Sequence, residues 1–297
     1  MPCYQPLTAY RAPYGEIVFD HSKSFRIKIE LPCGRCIGCR LEKAKEWALR
    51  CYHEAQMHAE NSFLTLTYAP EHLPGNHNLD HRDFQAFMKR LREHTGKKIR
   101  YYMCGEYGNK PNYRPHYHAL LFGHEFDDKK LVNVRGQNRV YTSEKLDSLW
   151  KKGSCEIGSV TFKSAGYVAR YIVKKCSDDP EELYNRYAIV DPETGEMTSR
   201  KLEYTKMSLK PGIGESWFRK YFKDLYPHDY AVLPDGRKTS VPKYYNKLLE
   251  RENPKLHYEL RQARIAKALV NPNNTPERLA VRERVRTKKA ERLKREL

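Results

Sequence analysis

The nine residues RPHYHALLF, Arg114 to Phe122, constrain this chain most. They are rich in strand formers and hold two histidines two positions apart. Side chains alternate along a strand, so His116 and His118 project from one face while Tyr117 points to the other. Two imidazoles on one face can hold a divalent metal. An exposed polar face would satisfy the same pattern. The function therefore depends on whether the chain also supplies a third ligand, a nucleophile and a reason to bind an anion.

The reason to bind an anion lies in the charge. Lys+Arg number 55 against 37 Asp+Glu, a formal net charge of +18 over 297 residues. Attraction to a polyanion, DNA or RNA, explains such a surplus better than solubility does. An anionic membrane fits less well, because there is no long apolar run and no lipidation motif. The start, MPCYQPLTAYR, lacks the apolar core of a signal peptide. The expectation is a protein used in a cytoplasm, with its eight cysteines reduced or metal-bound. Hydrophobic residues at 39% and aromatics at 12% suffice for a sizeable core.

Three regions are expected. Residues 1–60 form a Cys-rich N-terminal segment followed by a helix from about Leu41 to Ala59, with Ala44, Ala48, Cys51 and Ala55 on one side. Residues 61–180 form the central domain. Its first strand is Phe63 to Tyr68, strictly alternating. Asp80 caps a helix whose Phe84, Phe87, Met88 and Leu91 make an apolar stripe. Ile99–Gly105 and His116–Phe122 read as strands, Ser143–Lys151 as a helix and Cys155–Phe162 as a strand. Ser164 caps a last helix running to about Cys176. This β-α-β-β-α-β-α order describes an α+β fold: an antiparallel sheet with helices packed on it, of the ferredoxin-like split-βαβ class. Residues 181–297 form a C-terminal accessory region. Its last 27 residues, from Asn271, carry nine Lys/Arg and four Glu. That tail reads as a helix with a basic face, as a segment that becomes helical on binding, or as a solvated surface helix.

The third ligand is Glu106, in CGEYG at the end of the preceding strand. Adjacent antiparallel strands bring the end of one near the start of the next, so Glu106 can approach His116 and His118. Two imidazoles and one carboxylate suit a catalytic divalent ion. The nucleophile lies in the helix Tyr167-Val-Ala-Arg-Tyr171-Ile-Val-Lys174-Lys175. Tyr167 and Tyr171 are four apart and share a face. Lys174 and Lys175 follow at helical spacing, and Val168 and Ile172 form a separate apolar stripe for packing. A phenol needs activation at neutral pH, which a lysine beside the oxygen and a metal on the phosphate provide. Together these parts fit transesterification of a phosphodiester.

The strand FLTLTY, then GEYG before RPHYHALLF, then YVARYIVKK, resembles the three ordered motifs of HUH endonucleases. The chain is most similar to rolling-circle replication initiators of gokushovirus-type single-stranded DNA phages. The likeness extends to the cysteine-rich start and to KPGIGESWF and PKYYNKLL. It implies the HUH version of the split-βαβ fold. It also implies a nicking reaction at the viral origin. One tyrosine attacks a DNA phosphate, becomes linked to the 5′-phosphate and frees a 3′-OH that primes synthesis. The second tyrosine permits a further cleavage, and strand joining yields a circle. The family's metal ligands carry over to His116 and His118 with Glu106, its nucleophiles to Tyr167 and Tyr171, and its basic end to Lys174 and Lys175. The metal implied is Mg²⁺ or Mn²⁺. The chain has no G-x4-GK[ST] motif, so host helicase, DNA polymerase and single-strand-binding protein are implied partners, in a bacterial cytoplasm.

Cys33, Cys36 and Cys39 form a CxxCxxC pattern, and Cys3 is a candidate fourth thiolate for structural zinc. His21, Cys51 and His53 are alternative fourth ligands; an unligated reduced cluster, an iron–sulfur cluster and disulfides also fit the spacing. Other functional readings are a plasmid or transposon HUH nickase or relaxase, a two-His, one-carboxylate iron oxygenase, and a non-catalytic nucleic-acid-binding protein. The oxygenase accounts for neither the +18 charge nor the Tyr/Lys helix.

Overall fold

A computed structural model of the chain describes residues 3–12, 15–19, 27–108, 113–136, 138–174, 180–190 and 193–291. The chain packs as two units, Met1–Lys43 with Leu249–Glu296, and Ala44–Leu248. The first begins with a three-stranded antiparallel sheet of β1 (Leu7–Arg11), β2 (Ile17–Val18) and β3 (Ile27–Leu31), in the order β2-β1-β3. Helix α1 (Ile37–Ala55) starts inside the cysteine cluster. It begins four residues before the expected Leu41.

The second unit is built on one seven-stranded sheet. In chain order its elements include β4 (Asn61–Thr67), α2 (His81–Thr95), β5 (Arg100–Tyr107), β6 (Pro115–Phe122), β7 (Lys130–Arg135), β8 (Asn138–Thr142), α3 (Glu144–Trp150), β9 (Cys155–Gly158) and α4 (Phe162–Lys174). After these come α5 (Pro180–Tyr187), the short pair β10 (Ala188–Val190) and β11 (Met197–Ser199), and the edge strand β12 (Tyr204–Met207). The sheet runs β12-β5-β6-β4-β9-β8-β7, with every neighbouring pair antiparallel. The expected α+β class, an antiparallel sheet with helices against it, is therefore present. The sequence reading missed the β7–β8 hairpin and the β12 edge.

Strand alternation sorts the core into two layers. On one face Leu64, Leu66, Met103, Tyr117, Ala119 and Leu121 meet α2 and α3. Phe84, Phe87, Met88 and Leu91 of α2 are all buried there. Each such side chain contributes roughly 1.5–3 kcal/mol on burial, so docking rather than helix propensity holds α2 in place. On the opposite face Tyr102, Cys104, Leu120 and Phe122 meet Ala48 and Cys51 of α1, and Ala165 and Val168 of α4. The even-numbered residues of β6 thus point toward α1 and α4.

Local chemistry sets the helix starts. Asp80 caps α2 by accepting from the Arg82 N–H at 3.0 Å, and Ser143 caps α3 by accepting from the Leu146 N–H at 3.0 Å. Ser164 is not the cap of α4, contrary to expectation. The helix begins at Phe162, and Thr161 and Ser164 satisfy each other. The Thr161 N–H donates to Ser164 Oγ at 2.8 Å, and the Ser164 N–H donates to Thr161 Oγ1 at 3.1 Å. This reciprocal pair is a capping box with Ser in the third position. It also ends β9 at Gly158, four residues short of Phe162.

The glycine motif KPGIGESWF leads into α6 (Glu215–Tyr221). The small pair β13 (Ala231–Val232) and β14 (Lys238–Thr239) follows, and PKYYNKLL lies at the start of α7 (Lys243–Glu252). The two motifs fit each other. A Cβ at Gly212 would overlap the Tyr244 hydroxyl, and one at Gly214, which has φ +81°, would overlap that of Tyr245. The buried Glu54 carboxylate fixes this loop, accepting from the Gly214 N–H at 2.6 Å and from Arg100 Nε at 2.5 Å. Arg100 in turn donates to the Pro211 carbonyl at 2.8 Å. The first unit resumes with α8 (Pro254–Leu269) and α9 (Pro276–Glu291), so the basic tail is helical through Glu291. No helix among the described residues is long and apolar enough to cross a membrane.

Candidate metal and nucleophile site

The pairing of β5 with β6 sets Glu106 directly opposite His116, and Cys104 opposite His118. Ligand atoms of Glu106, His116 and His118 lie within 4.8 Å of one another. His116 Nε2 is 2.7 Å from Glu106 Oε1, and His118 Nε2 is 3.3 Å from the same oxygen. Glu106 and His118 are buried and His116 is half-buried.

The second nitrogen of each ring is engaged elsewhere. His116 Nδ1 lies 3.1 Å from the Arg114 carbonyl oxygen, which can only accept, so that nitrogen carries a proton. His118 Nδ1 lies 3.0 Å from Thr65 Oγ1 on the neighbouring strand. The carbonyl leaves His116 Nε2 as the nitrogen that can present a lone pair, and the Thr65 hydroxyl does the same for His118 when it accepts from Nδ1. The two Nε2 atoms and a Glu106 carboxylate oxygen converge: as N–H groups they donate to Glu106, and as lone pairs they complete a donor set that fits a divalent cation. Burial raises the Glu106 carboxyl, but hydrogen bonds and charge from His116 and His118 outweigh it and bring it to about 2. Glu106 therefore keeps its negative charge at any pH the chain meets in a cell.

Helix α4 brings Tyr167 to this cluster. With Ala165 and Val168 buried against the sheet, the Tyr167 ring stands perpendicular to that of His118, with centroids 5.1 Å apart. It also meets Phe63 edge-on at 6.4 Å, and Phe63 stacks on His118 at 5.7 Å. Tyr167 is half-buried. The backbone of α4 includes Tyr171 and Lys174; their side chains, and Lys175 altogether, lie outside the described residues. Tyr117, between the histidines, is a core residue: it is fully buried on the opposite face and donates to the Asp80 carbonyl at 2.6 Å.

Thr65 escaped the sequence reading. Its signal was nonetheless present, since alternation in FLTLTY puts Phe63, Thr65 and Thr67 on one face beside the histidine strand. Thr65 pairs directly with His118 across the sheet.

The cysteines form a second cluster, in the first unit. The sulfurs of Cys3, Cys33, Cys36 and Cys39 all lie within 4.8 Å of one another, and none is in a disulfide. Backbone N–H groups point at them: Cys33 at Cys3 Sγ, Cys36 at Cys33 Sγ and Tyr4 at Cys36 Sγ, each at 3.3 Å. Such donors favour thiolate, while burial raises the thiols of Cys3 and Cys39. Burial raises the Cys33 thiol, but the backbone N–H groups of Cys36 and Arg35 and the neighbouring thiols lower it to about 7. Four thiols in this arrangement fit tetrahedral zinc, whose sulfurs sit about 2.3 Å from the ion. The alternative ligands are used elsewhere. Cys51 is buried in the core beside α4. His53 stacks on Trp217 with centroids 3.5 Å apart and meets the Tyr245 hydroxyl at 3.1 Å. His21 lies outside the described residues.

Residues 61–176 match the family model "Replication-associated protein ORF2/G2P". The replication-associated protein VP4 of Bdellovibrio phage phiMH2K is 37% identical over 266 residues, spanning 86% of this chain and 79% of VP4. The chain belongs to the phage replication-associated proteins. The ORF2 replication-associated protein of Spiroplasma virus 4 is 30% identical over 277 residues, 85% of this chain and 81% of that protein. The ORF4 protein of Chlamydia phage 1 is 32% identical over 231 residues, 74% of this chain and 54% of its own length. No solved structure matches the chain. Every residue of the Glu–His–Tyr site in this replication-associated protein falls inside the stretch 61–176, and the four clustered cysteines fall outside it.

Proposed function

We propose that this replication-associated protein is a metal-dependent DNA nickase and strand transferase that starts rolling-circle replication at a viral origin in a bacterial cytoplasm. The observation that carries the reading is the convergence of Glu106, His116 and His118 with the Tyr167 ring packed on His118. Glu106, His116 and His118 would hold Mg²⁺ or Mn²⁺, which when bound neutralises charge on the scissile phosphate. The Tyr167 oxygen attacks phosphorus and gives up its proton. The new phosphotyrosyl bond forms as the bond to the 3′ oxygen breaks, and that oxygen takes up a proton to become the priming 3′-OH. Tyr171 serves the second cleavage that closes the circle. Lys174 or Lys175 steadies the phenolate. Cys3, Cys33, Cys36 and Cys39 would hold structural zinc. With no nucleotide-binding loop in the sequence, unwinding and synthesis fall to a host helicase, DNA polymerase and single-strand-binding protein.

The test is covalent. Labelled single-stranded DNA carrying the cognate origin is incubated with protein and Mn²⁺ and run on a denaturing gel. The expected result is a protein–DNA adduct that a chelator abolishes. A protein that binds the strand and leaves no adduct is a binding module, and the nickase reading fails.

Thr65 supplies a second measurement. Changing Thr65→Val removes the hydroxyl at His118 Nδ1 while keeping the branched shape. Mn²⁺ affinity measured by calorimetry is expected to fall about 10–100-fold. Thr65→Ser should restore most of it. Equal affinity in the valine variant would show that His118 needs no such orienting partner.

A further inference from the structure

The nuclease site leaves α9 unexplained. Its sequence, PERLAVRERVRTKKAE, holds Arg278, Arg282, Arg284, Arg286, Lys288 and Lys289. Three pairs of these, Arg278/Arg282, Arg282/Arg286 and Arg284/Lys288, stand four residues apart. Like charges at that spacing weaken a helix. None of the six bases has an acid four residues away to offset it.

One side of α9 is anchored within its own unit. Leu279 is buried, and the Arg282 guanidinium lies over the Tyr4 ring at 5.8 Å. The Glu283 carboxylate accepts from Gln5 Nε2 at 2.9 Å and 3.1 Å. Tyr4 and Gln5 directly follow Cys3, so the helix is seated on the segment that carries the cysteine cluster. Glu283, in the middle of the basic run, is thereby turned inward, while Glu277 is exposed in the first turn. Arg278, Arg284, Arg286, Lys288 and Lys289 are exposed. From Arg278 to Lys289 the helix rises about 16 Å. That exceeds the roughly 12 Å width of the DNA major groove, so its ends can reach phosphates on both strands.

We infer that α9, seated on the cysteine segment, is a second nucleic-acid site that grips the phosphates of duplex DNA. This rests on the reading above that DNA is the substrate, and it adds a contact separate from the nicking centre. The grip is electrostatic and sequence-independent, because phosphate contacts carry no base information.

The experiment is a salt titration of the full-length protein on a random-sequence 30-base-pair duplex. The triple variant Arg284→Gln/Arg286→Gln/Lys289→Gln is compared with the unaltered chain. Each lost phosphate contact lowers the slope of log K against log salt by about 0.9, so the slope should drop by up to about 2.7. Affinity at 0.15 M salt should fall tenfold or more. The single variants Arg284→Gln and Lys289→Gln should each lower the slope by about one contact, which protects the test against misfolding of the triple. Arg284→Lys/Arg286→Lys should keep the slope, because charge alone is required. An unchanged slope in the triple variant overturns the proposal. So does a variant that loses binding to phosphatidylserine vesicles but not to the duplex, since the partner is then a membrane. Adduct formation by the unaltered protein is scored separately, so failure of the nickase reading cannot be mistaken for failure of the grip.

Discussion

The Tyr167→Phe/Tyr171→Phe protein is expected to form no covalent adduct with origin DNA, a loss of at least about a thousandfold against the unaltered chain. Phenylalanine keeps the ring that packs on Phe63 and His118 and removes only the oxygen. Mn²⁺ affinity should therefore change far less than adduct formation. Tyr117 offers no substitute, being buried on the opposite face of the sheet. Each single variant should still nick while failing to close circles, because closure needs the second phenol. A surviving adduct in the double variant would remove both tyrosines from the nucleophile role. Full circle closure by both single variants would rule out alternation between them.

The second large effect is expected at the cysteines. Cys36→Ser should strip the zinc from purified protein, from one equivalent to a small fraction. Structural zinc sites contribute on the order of 10–16 kcal/mol of apparent binding free energy to the folds that depend on them. The loss should therefore also unfold the segment around the sulfurs, read as rapid hydrogen exchange at Cys33 and Cys39 with little change in the seven-stranded sheet. Unchanged zinc content would remove Cys36 from the site.

Sequence alone reached the sheet and much of the site, and the limits follow from what each signal encodes. Period-two alternation is local, so RPHYHALLF gave the shared face of His116 and His118 directly. The helical stripe Phe84–Leu91 gave the buried side of α2 for the same reason. Pairing is not local. The turn-rich stretch between Tyr107 and Pro115 left open which residue of β5 faces which histidine, and only the register Glu106 to His116 resolves it. Thr65 belongs to a third strand and became visible only across the sheet. The fourth cysteine was one choice among several because Cys3 is thirty residues from Cys33. The structure places Cys3 within 4.8 Å of the other three sulfurs and commits Cys51 and His53 to other contacts. Ser164 misled because its spacing to the helix fits a cap, while the residue three before it, Thr161, completes the pair.

The terminal unit is drawn from the first 43 residues and from residue 249 onward. During synthesis these halves are separated by about 200 residues. At roughly 5–20 residues per second the ribosome takes about 10–40 s to cover that gap. The cysteine segment thus leaves the tunnel first and waits, while every residue of the Glu–His–Tyr site is made before the first turn of α9 exists. A chain stopped after Leu248 would keep the whole Glu–His–Tyr cluster and lack the helix that covers Tyr4 and Gln5. Premature termination and C-terminal proteolysis therefore remove the contacts that α9 makes to Tyr4 and Gln5, the two residues after Cys3.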